Sequence, residues 1–73
     1  MTINVAVAET LRELRQKKGV SQEKLAEAID SHQVYISEIE RGLKEPSLSF
    51  LMKLSNLMGM SLSDLIVLVE KKL

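Results

Sequence analysis

Apolar residues recur every three or four positions along most of the chain, which is the spacing that gives an α-helix one buried edge. Residues suited to helix ends interrupt this pattern: Ser21, Ser47 and Ser61 can cap a first turn, and Gly19 and Gly59 can follow a last one. The pattern predicts an all-α fold of five helices. We place them from Thr2 or Asn4 to before Gly19, as two short helices within 21–42, from Ser47 through Met58, and from Ser61 to about residue 72.

The stretch 21–42 has the pattern of two short helices joined by a tight turn. The helical spacing that follows Ser21 breaks at Asp30-Ser31-His32, residue types that hydrogen-bond to their own backbone. On the second of these helices, at ~100° per residue, one arc is mostly polar. This outward arc carries Gln33, Val34, Ser37, Glu38 and Arg41, whereas the inward arc carries Tyr35, Ile36, Ile39 and Glu40. The arrangement is a helix-turn-helix pattern.

The motif Ser21-Gln22-x-x-Leu25-Ala26, followed by Ile36-Ser37-x-Ile39-Glu40-Arg41-Gly42, closely resembles the Cro/repressor-like (Xre-type) bacterial and phage transcriptional regulators. The resemblance covers Leu11 to Leu65, and the order of the motifs is specific. The run from Tyr35 to Gly42 and the small size look most like the restriction–modification controller proteins within that family. The resemblance implies a five-helix lambda-repressor-like DNA-binding domain, with the helix-turn-helix formed by helices 2 and 3.

The outward arc of helix 3 carries groups that can read base edges in the major groove of DNA. Gln33 can pair with adenine or reach a guanine acceptor, Val34 can cover a thymine methyl, and Ser37 can bond to either. Glu38 can accept a hydrogen bond from cytosine, or can repel phosphates and so exclude wrong sites. The resemblance supports Gln33 most strongly, since the corresponding residue of the family is a frequent base reader.

Four further residues are candidates for contacts with the DNA backbone. The resemblance implies that Gln22 bonds to a phosphate at the start of helix 2. Tyr35, Arg41 and Lys44 could also reach phosphates from helix 3 and the loop that follows it. The alternative is a packing tyrosine and two solvated surface cations. Lys17 and Lys18 could extend the same basic edge.

The resemblance also implies an ion pair between helices 1 and 3, formed by Arg15 and Glu40. Glu40 lies on the inward arc of helix 3. We therefore expect a partly buried pair that locks the two helices together, rather than a catalytic carboxylate.

Composition excludes several other kinds of site. The sequence has no cysteine, so neither a disulfide nor a thiolate metal site can form, and His32 is the single histidine. Neither a Ser-His-acid arrangement nor a phosphate-binding glycine loop is present. We predict no enzymatic activity, no metal and no cofactor.

Charge and length narrow the picture further. Ten basic residues balance ten acidic ones, which argues against tight non-specific binding to DNA rather than against specific binding. The length of 73 residues predicts one domain over 1–73. No apolar run approaches the ~20 residues needed to cross a bilayer, so we expect a cytoplasmic protein without a membrane partner.

Helices 4 and 5, at about 47–72, carry more apolar residues than one core needs. We assign Leu48, Leu51, Met52, Leu54, Ser55 and Met58 of helix 4, and Leu62, Leu65, Ile66, Val69 and Leu73 of helix 5, to the core. The surplus predicts a homodimer interface formed by Phe50, Leu57, Met60, Val67 and Leu68. The alternative is that these arcs are misplaced by a residue or two, so that the same side chains complete a larger core.

The leading hypothesis is a sequence-specific transcriptional regulator that binds double-stranded DNA, at a pseudo-palindromic operator, as a homodimer. RNA polymerase is a further candidate partner. The second hypothesis is a protein-interaction module, such as an antitoxin or adaptor subunit, whose apolar surface binds another protein.

Overall fold

Five helices make up the structure, a computed structural model that describes all residues from 1 to 73. They are α1 (Ile3–Lys18), α2 (Gln22–Ala28), α3 (Gln33–Glu40), α4 (Leu48–Leu57) and α5 (Leu62–Glu70). The all-α fold and the order of elements expected from the sequence are confirmed. No single helix is long and apolar enough to cross a membrane; α4 and α5 reach that length only together, with a bend of 104° between them.

Side-chain hydroxyl caps fix four of the helix starts. Thr2, Ser21, Ser47 and Ser61 each accept a hydrogen bond from the backbone N–H three residues later, which satisfies a group that has no partner inside the helix. The three serine caps lie where the sequence predicts them, and Thr2 is the correct one of the two predicted starts of α1.

The turn between α2 and α3 depends on a left-handed residue. Asp30 has a φ of 54°, a conformation that Asp tolerates better than most residues with a side chain. The chain reverses there, and the Ser31 N–H donates to the Ala26 carbonyl at 2.8 Å. This turn sets the crossing of α2 and α3.

The core lies between α3 and its neighbours α1 and α2, with α4 and α5 closing one side. Its fully buried large side chains are Leu11, Leu25, Ile36, Ile39, Leu54 and Leu65. Ile36 and Ile39 come from α3, so the inward arc predicted for this helix is correct. The core therefore fixes which side of α3 remains outside.

Helix α4 is rotated relative to its predicted position. Phe50, predicted at a dimer interface, is only 4% exposed and packs edge-on against Tyr35, with ring centroids 5.2 Å apart. Leu48 and Met52, predicted in the core, are instead 64% and 49% exposed. The assignment of Phe50 to the interface is wrong, because burying this ring removes more apolar surface from water than burying Leu48 would.

The other predicted interface residues divide between the core and the surface. Leu57 and Met60 are partly buried and pack against the core, and Leu68 is half-buried. Val67 is exposed. Ile66 of α5, and Leu73 beyond the end of that helix, were assigned to the core but are exposed as well. The misplaced-arc alternative thus holds for Phe50 and in part for Leu57 and Met60, while α4 and α5 still leave apolar residues at the surface.

A buried carboxylate ties α3 to the two helices before it. Glu40, 3% exposed, accepts hydrogen bonds from Arg15 Nε at 2.7 Å and Arg15 Nη2 at 3.0 Å. Gln22 Nε2 donates to the same carboxylate at 3.1 Å, and the guanidinium of Arg12 donates to the Glu40 carbonyl. Arg15 also donates to the Val20 carbonyl at 3.0 Å, so the loop after α1 is held too.

The hydrogen bonds from Arg15 to Glu40 raise the pKa of Arg15 above its ordinary value; burial opposes this shift, and the attraction between the two charges adds to it. A raised pKa means that the stabilisation is present at lower pH and is lost only as the pH rises through the folded-state value. Arg15 therefore keeps its positive charge at all physiological pH values.

Replacing Arg15→Ala should lower the free energy of unfolding by about 3 kcal/mol, because it removes the only guanidinium that hydrogen-bonds to the buried Glu40 carboxylate and leaves Arg12, 3.8 Å away, as its single charged partner. Urea unfolding followed by circular dichroism measures this. Lys24→Ala is the control, since Lys24 and Glu27 form an exposed pair at 3.7 Å that is worth under about 1 kcal/mol. Equal losses in the two variants would contradict the structural role of the Arg15–Glu40 pair.

Replacing Phe50→Ala should lower the free energy of unfolding by about 3–5 kcal/mol through the cavity that it leaves. Asn56→Ala, at an exposed position of the same helix, should stay within about 0.5 kcal/mol of the parent. If Phe50→Ala kept full stability but changed the sedimenting mass, Phe50 would be an interface residue after all.

Candidate nucleic-acid interface

The residues that the sequence assigns to base contacts, together with Gln22, Tyr35, Arg41 and Lys44, all lie on one surface. Val34 is 68% exposed and forms a ridge between two shallow hollows on the outer side of α3. The first hollow is lined by Gln22, Gln33, Val34, Ser37 and Arg41, and the second by Ser31, His32, Val34, Tyr35, Glu38 and Lys44. We call this surface the α3 face. Its polar groups project around an exposed methyl-bearing side chain, as contact with base edges requires.

The start of α3 is open to solvent. His32 occupies the N-cap position, but its side chain makes no capping bond, and Gln33 follows as an exposed first residue. Ser37 lies one turn further on and is half-buried. Gln33, Val34 and Ser37 therefore present an amide, two methyls and a hydroxyl from successive positions along one side of the helix.

Gln22 is fixed rather than free. Its Nε2 donates to Glu40 Oε1 at 3.1 Å, and the same oxygen accepts from Arg15 Nη2. An amide nitrogen carries two hydrogens, so a second N–H remains for another acceptor. The Glu40 carboxylate thereby fixes the position of Gln22 at the edge of the first hollow.

Tyr35 serves mainly as a packing residue. Its ring meets Phe50 edge-on, and its hydroxyl accepts a hydrogen bond from the Ser47 N–H at 3.1 Å. The hydroxyl lies at the second hollow and keeps its own hydrogen available for donation. The packing alternative is therefore correct for the ring.

Lys44 reaches back over α3 from the following loop. Its Nζ lies 3.7 Å from Glu38 Oε1 and 5.7 Å from the centroid of the Tyr35 ring. Arg41, at the end of α3, is exposed, and its Nε donates to the Ser37 carbonyl at 3.4 Å. One cation of the α3 face is therefore paired with a carboxylate and the other is not.

The basic edge differs from the predicted one. Lys17 lines a hollow with Leu68 of α5, and both Lys17 and Lys18 line another with Met58 and Met60. Neither lysine lines the α3 face, because this part of α1 turns toward α5. Arg12 is the residue that sequence reasoning missed. Its place three positions before Arg15, on the same side of α1, is the signal that could have found it.

The sequence profile of a family described as Helix-turn-helix matches residues 11–65, which include the whole α3 face. The chain belongs to this Xre-type helix-turn-helix family. Its members are DNA-binding transcriptional regulators, and the fold of this helix-turn-helix protein is the lambda-repressor-like one.

Relatives whose names state a regulatory function agree with this assignment. Control protein C.BamHI of Bacillus amyloliquefaciens is 41% identical over 69 residues, which cover 90% of this chain and 85% of that protein. The crystal structure of the clp gene regulator ClgR from Corynebacterium glutamicum matches with a TM-score of 0.88 and 33% identity, over 99% of this chain and 77% of the other. The restriction-modification controller protein C.AhdI from Aeromonas hydrophila matches with a TM-score of 0.78 and 35% identity, over 85% and 94%. The resemblance of this helix-turn-helix protein to controller proteins is confirmed.

Proposed function

We propose that this transcriptional regulator recognises a specific operator by inserting the α3 face into the major groove of DNA. The observation that carries the proposal is the exposure of Val34 between Gln33 and Ser37, on a face that no other part of the chain covers. The major groove admits an α-helix and offers donors, acceptors and thymine methyls to such side chains.

The work of binding divides between two sets of residues. Gln33, Val34, Ser37 and Glu38 read base edges. Gln22, Arg41, Lys44 and the Tyr35 hydroxyl contact phosphates, which fix the register of the protein on the duplex. With a formal net charge of zero, affinity depends on these few local contacts rather than on a general positive field.

The protein acts as a homodimer on an operator with two-fold symmetry. Two copies would place their α3 helices in successive major grooves, about 34 Å apart. The apolar residues that α4 and α5 leave exposed support this assembly: Leu48, Met52, Ile66 and Val67. They replace Phe50 in the interface predicted from the sequence. Val67 belongs to both sets, and the partly buried Leu57, Met60 and Leu68 stay candidate interface residues.

The regulator works in the cytoplasm, where bacterial DNA lies, and RNA polymerase at a neighbouring promoter is its candidate second partner. It has no catalytic role. The relatives that are controller proteins make control of a restriction–modification system the leading candidate for its target. They also favour DNA binding over the alternative of an antitoxin or adaptor module.

The division of labour predicts opposite signatures for two variants. Gln33→Ala should lose about 1–3 kcal/mol at one base pair and relax the preference there. Arg41→Ala, which removes the cation of the α3 face that has no carboxylate partner, should weaken binding to all duplexes and lower the salt slope by about one unit. Duplexes selected from a random library and titrated by fluorescence anisotropy at several salt concentrations measure both effects.

Two results would count against the proposal. If selection yielded no preferred duplex, the α3 face would not read sequence. If the two variants lost affinity in the same pattern, the separation of base readers from phosphate contacts would be wrong.

The homodimer should sediment at about twice the 8.2 kDa mass of the chain at micromolar concentration. Met52→Lys should weaken dimerisation by tenfold or more, because it brings a charge into an apolar contact. Leu43→Lys, at an exposed position in the loop before α4, is the control and should leave dimerisation unchanged. A wild-type chain that sediments only at 8.2 kDa would exclude the dimer.

A further inference from the structure

Three side chains form a connected cluster in the second hollow of the α3 face. Glu38 and Lys44 are within 3.7 Å of each other, and Lys44 also lies over the Tyr35 ring. Tyr35 is held on two sides, by Phe50 and by the Ser47 N–H. The ring is thus held in place by these contacts, whereas the two charged side chains are partly exposed to solvent.

The position of Glu38 is unusual for a surface that approaches DNA. A carboxylate there repels phosphates and base acceptors, and Lys44 offsets that repulsion while the protein is free. Lys44 Nζ has one carboxylate partner, and that partner is Glu38. Whenever Lys44 moves to a phosphate, the Glu38 charge is left facing the groove.

The pair is weak enough to exchange. Both side chains are substantially exposed, at 53% for Lys44 and 33% for Glu38, and exposed pairs of this kind contribute little to stability. A phosphate can therefore compete for Lys44. What decides the outcome is whether Glu38 finds a new donor when Lys44 leaves.

We propose that Glu38 is a specificity-determining residue, which releases Lys44 to a phosphate at low cost only where the base nearest the carboxylate, rather than its pairing partner, carries the amino group that donates a hydrogen bond to it. Cytosine N4 and adenine N6 are the donors that the major groove offers. At a site that presents guanine O6 or thymine O4 instead, the carboxylate stays unpaired and binding is penalised. This inference deepens the proposed function and rests on it.

In this mechanism, the acidic charge that balances Lys44 limits non-specific binding. A free Lys44 would add a phosphate contact at every sequence alike and would raise non-specific binding. Held by Glu38, Lys44 contributes mainly at the correct site. The pair thus converts a sequence-independent contact into one that depends on a base pair.

Glu38→Gln tests the inference, since it keeps the size of the side chain and removes its charge. Its binding to a scrambled duplex should tighten by about three- to tenfold, and the salt slope there should steepen by up to about one unit as Lys44 becomes free. The ratio of specific to scrambled affinity should fall by about tenfold. Anisotropy titrations of the full chain on a selected duplex and on its scrambled version provide both numbers.

Glu27→Gln is the matched control, because it makes the same change in net charge and frees Lys24 from an ion pair that is also 3.7 Å long. Neither Lys24 nor Glu27 lines the α3 face. The control should leave the affinity ratio unchanged. Lys44→Met is then added to each of the two variants. It should weaken binding to the scrambled duplex more in Glu38→Gln than in Glu27→Gln.

The outcomes distinguish a failure of this inference from a failure of the proposed function. A wild-type protein that prefers no duplex defeats the proposed function itself. The wild-type protein can instead show a clear preference for one duplex. If the ratio of specific to scrambled affinity then falls equally in Glu38→Gln and Glu27→Gln, or falls in neither, the role of Glu38 alone is overturned. Circular dichroism of each variant confirms that the comparison is made between folded proteins.

Discussion

The structure depends on one buried carboxylate. Glu40 is the last residue of α3 and accepts hydrogen bonds from α1 and α2, so a single charged group holds three helices in register. A buried charge is costly unless its partners are in place, so the docked position of α3 is stable only when its carboxylate is paired. In a chain of 73 residues with one Phe and no Trp, this polar contact supplies orientation that a small aliphatic core specifies less well.

Polar side chains near the outer surface also make hydrogen bonds that hold the fold together. Polar groups near α3 are shared between internal and external tasks: Gln22 holds Glu40 with one hydrogen and has another to offer, and the Tyr35 hydroxyl accepts from Ser47 while its own hydrogen remains free. The α3 face is therefore preorganised by hydrogen bonds that belong to the fold. Preorganisation lowers the entropy that binding would otherwise cost.

Local signals made much of this predictable. The serine caps, the Asp30 turn and the inward side of α3 depend on residues close together in sequence, and each appears where the pattern placed it. The rotation of α4 about its axis could not be predicted from the sequence. Apolar residues cover more than half of the circumference of this helix, so periodicity does not show which of them are buried. The Glu38–Lys44 pair joins flexible side chains across a loop, and Arg12 finds its partner on a distant helix. Such contacts depend on tertiary geometry.

The edge-on contact between Tyr35 and Phe50 has a consequence beyond the monomer. It joins α3 directly to the helix that carries exposed Leu48 and Met52, through contact of the two rings. In an assembly of two copies built on α4, the separation of the paired reading helices would be inherited from the geometry of this aromatic pair. The distance between operator half-sites would then be encoded in the hydrophobic interior, far from any base.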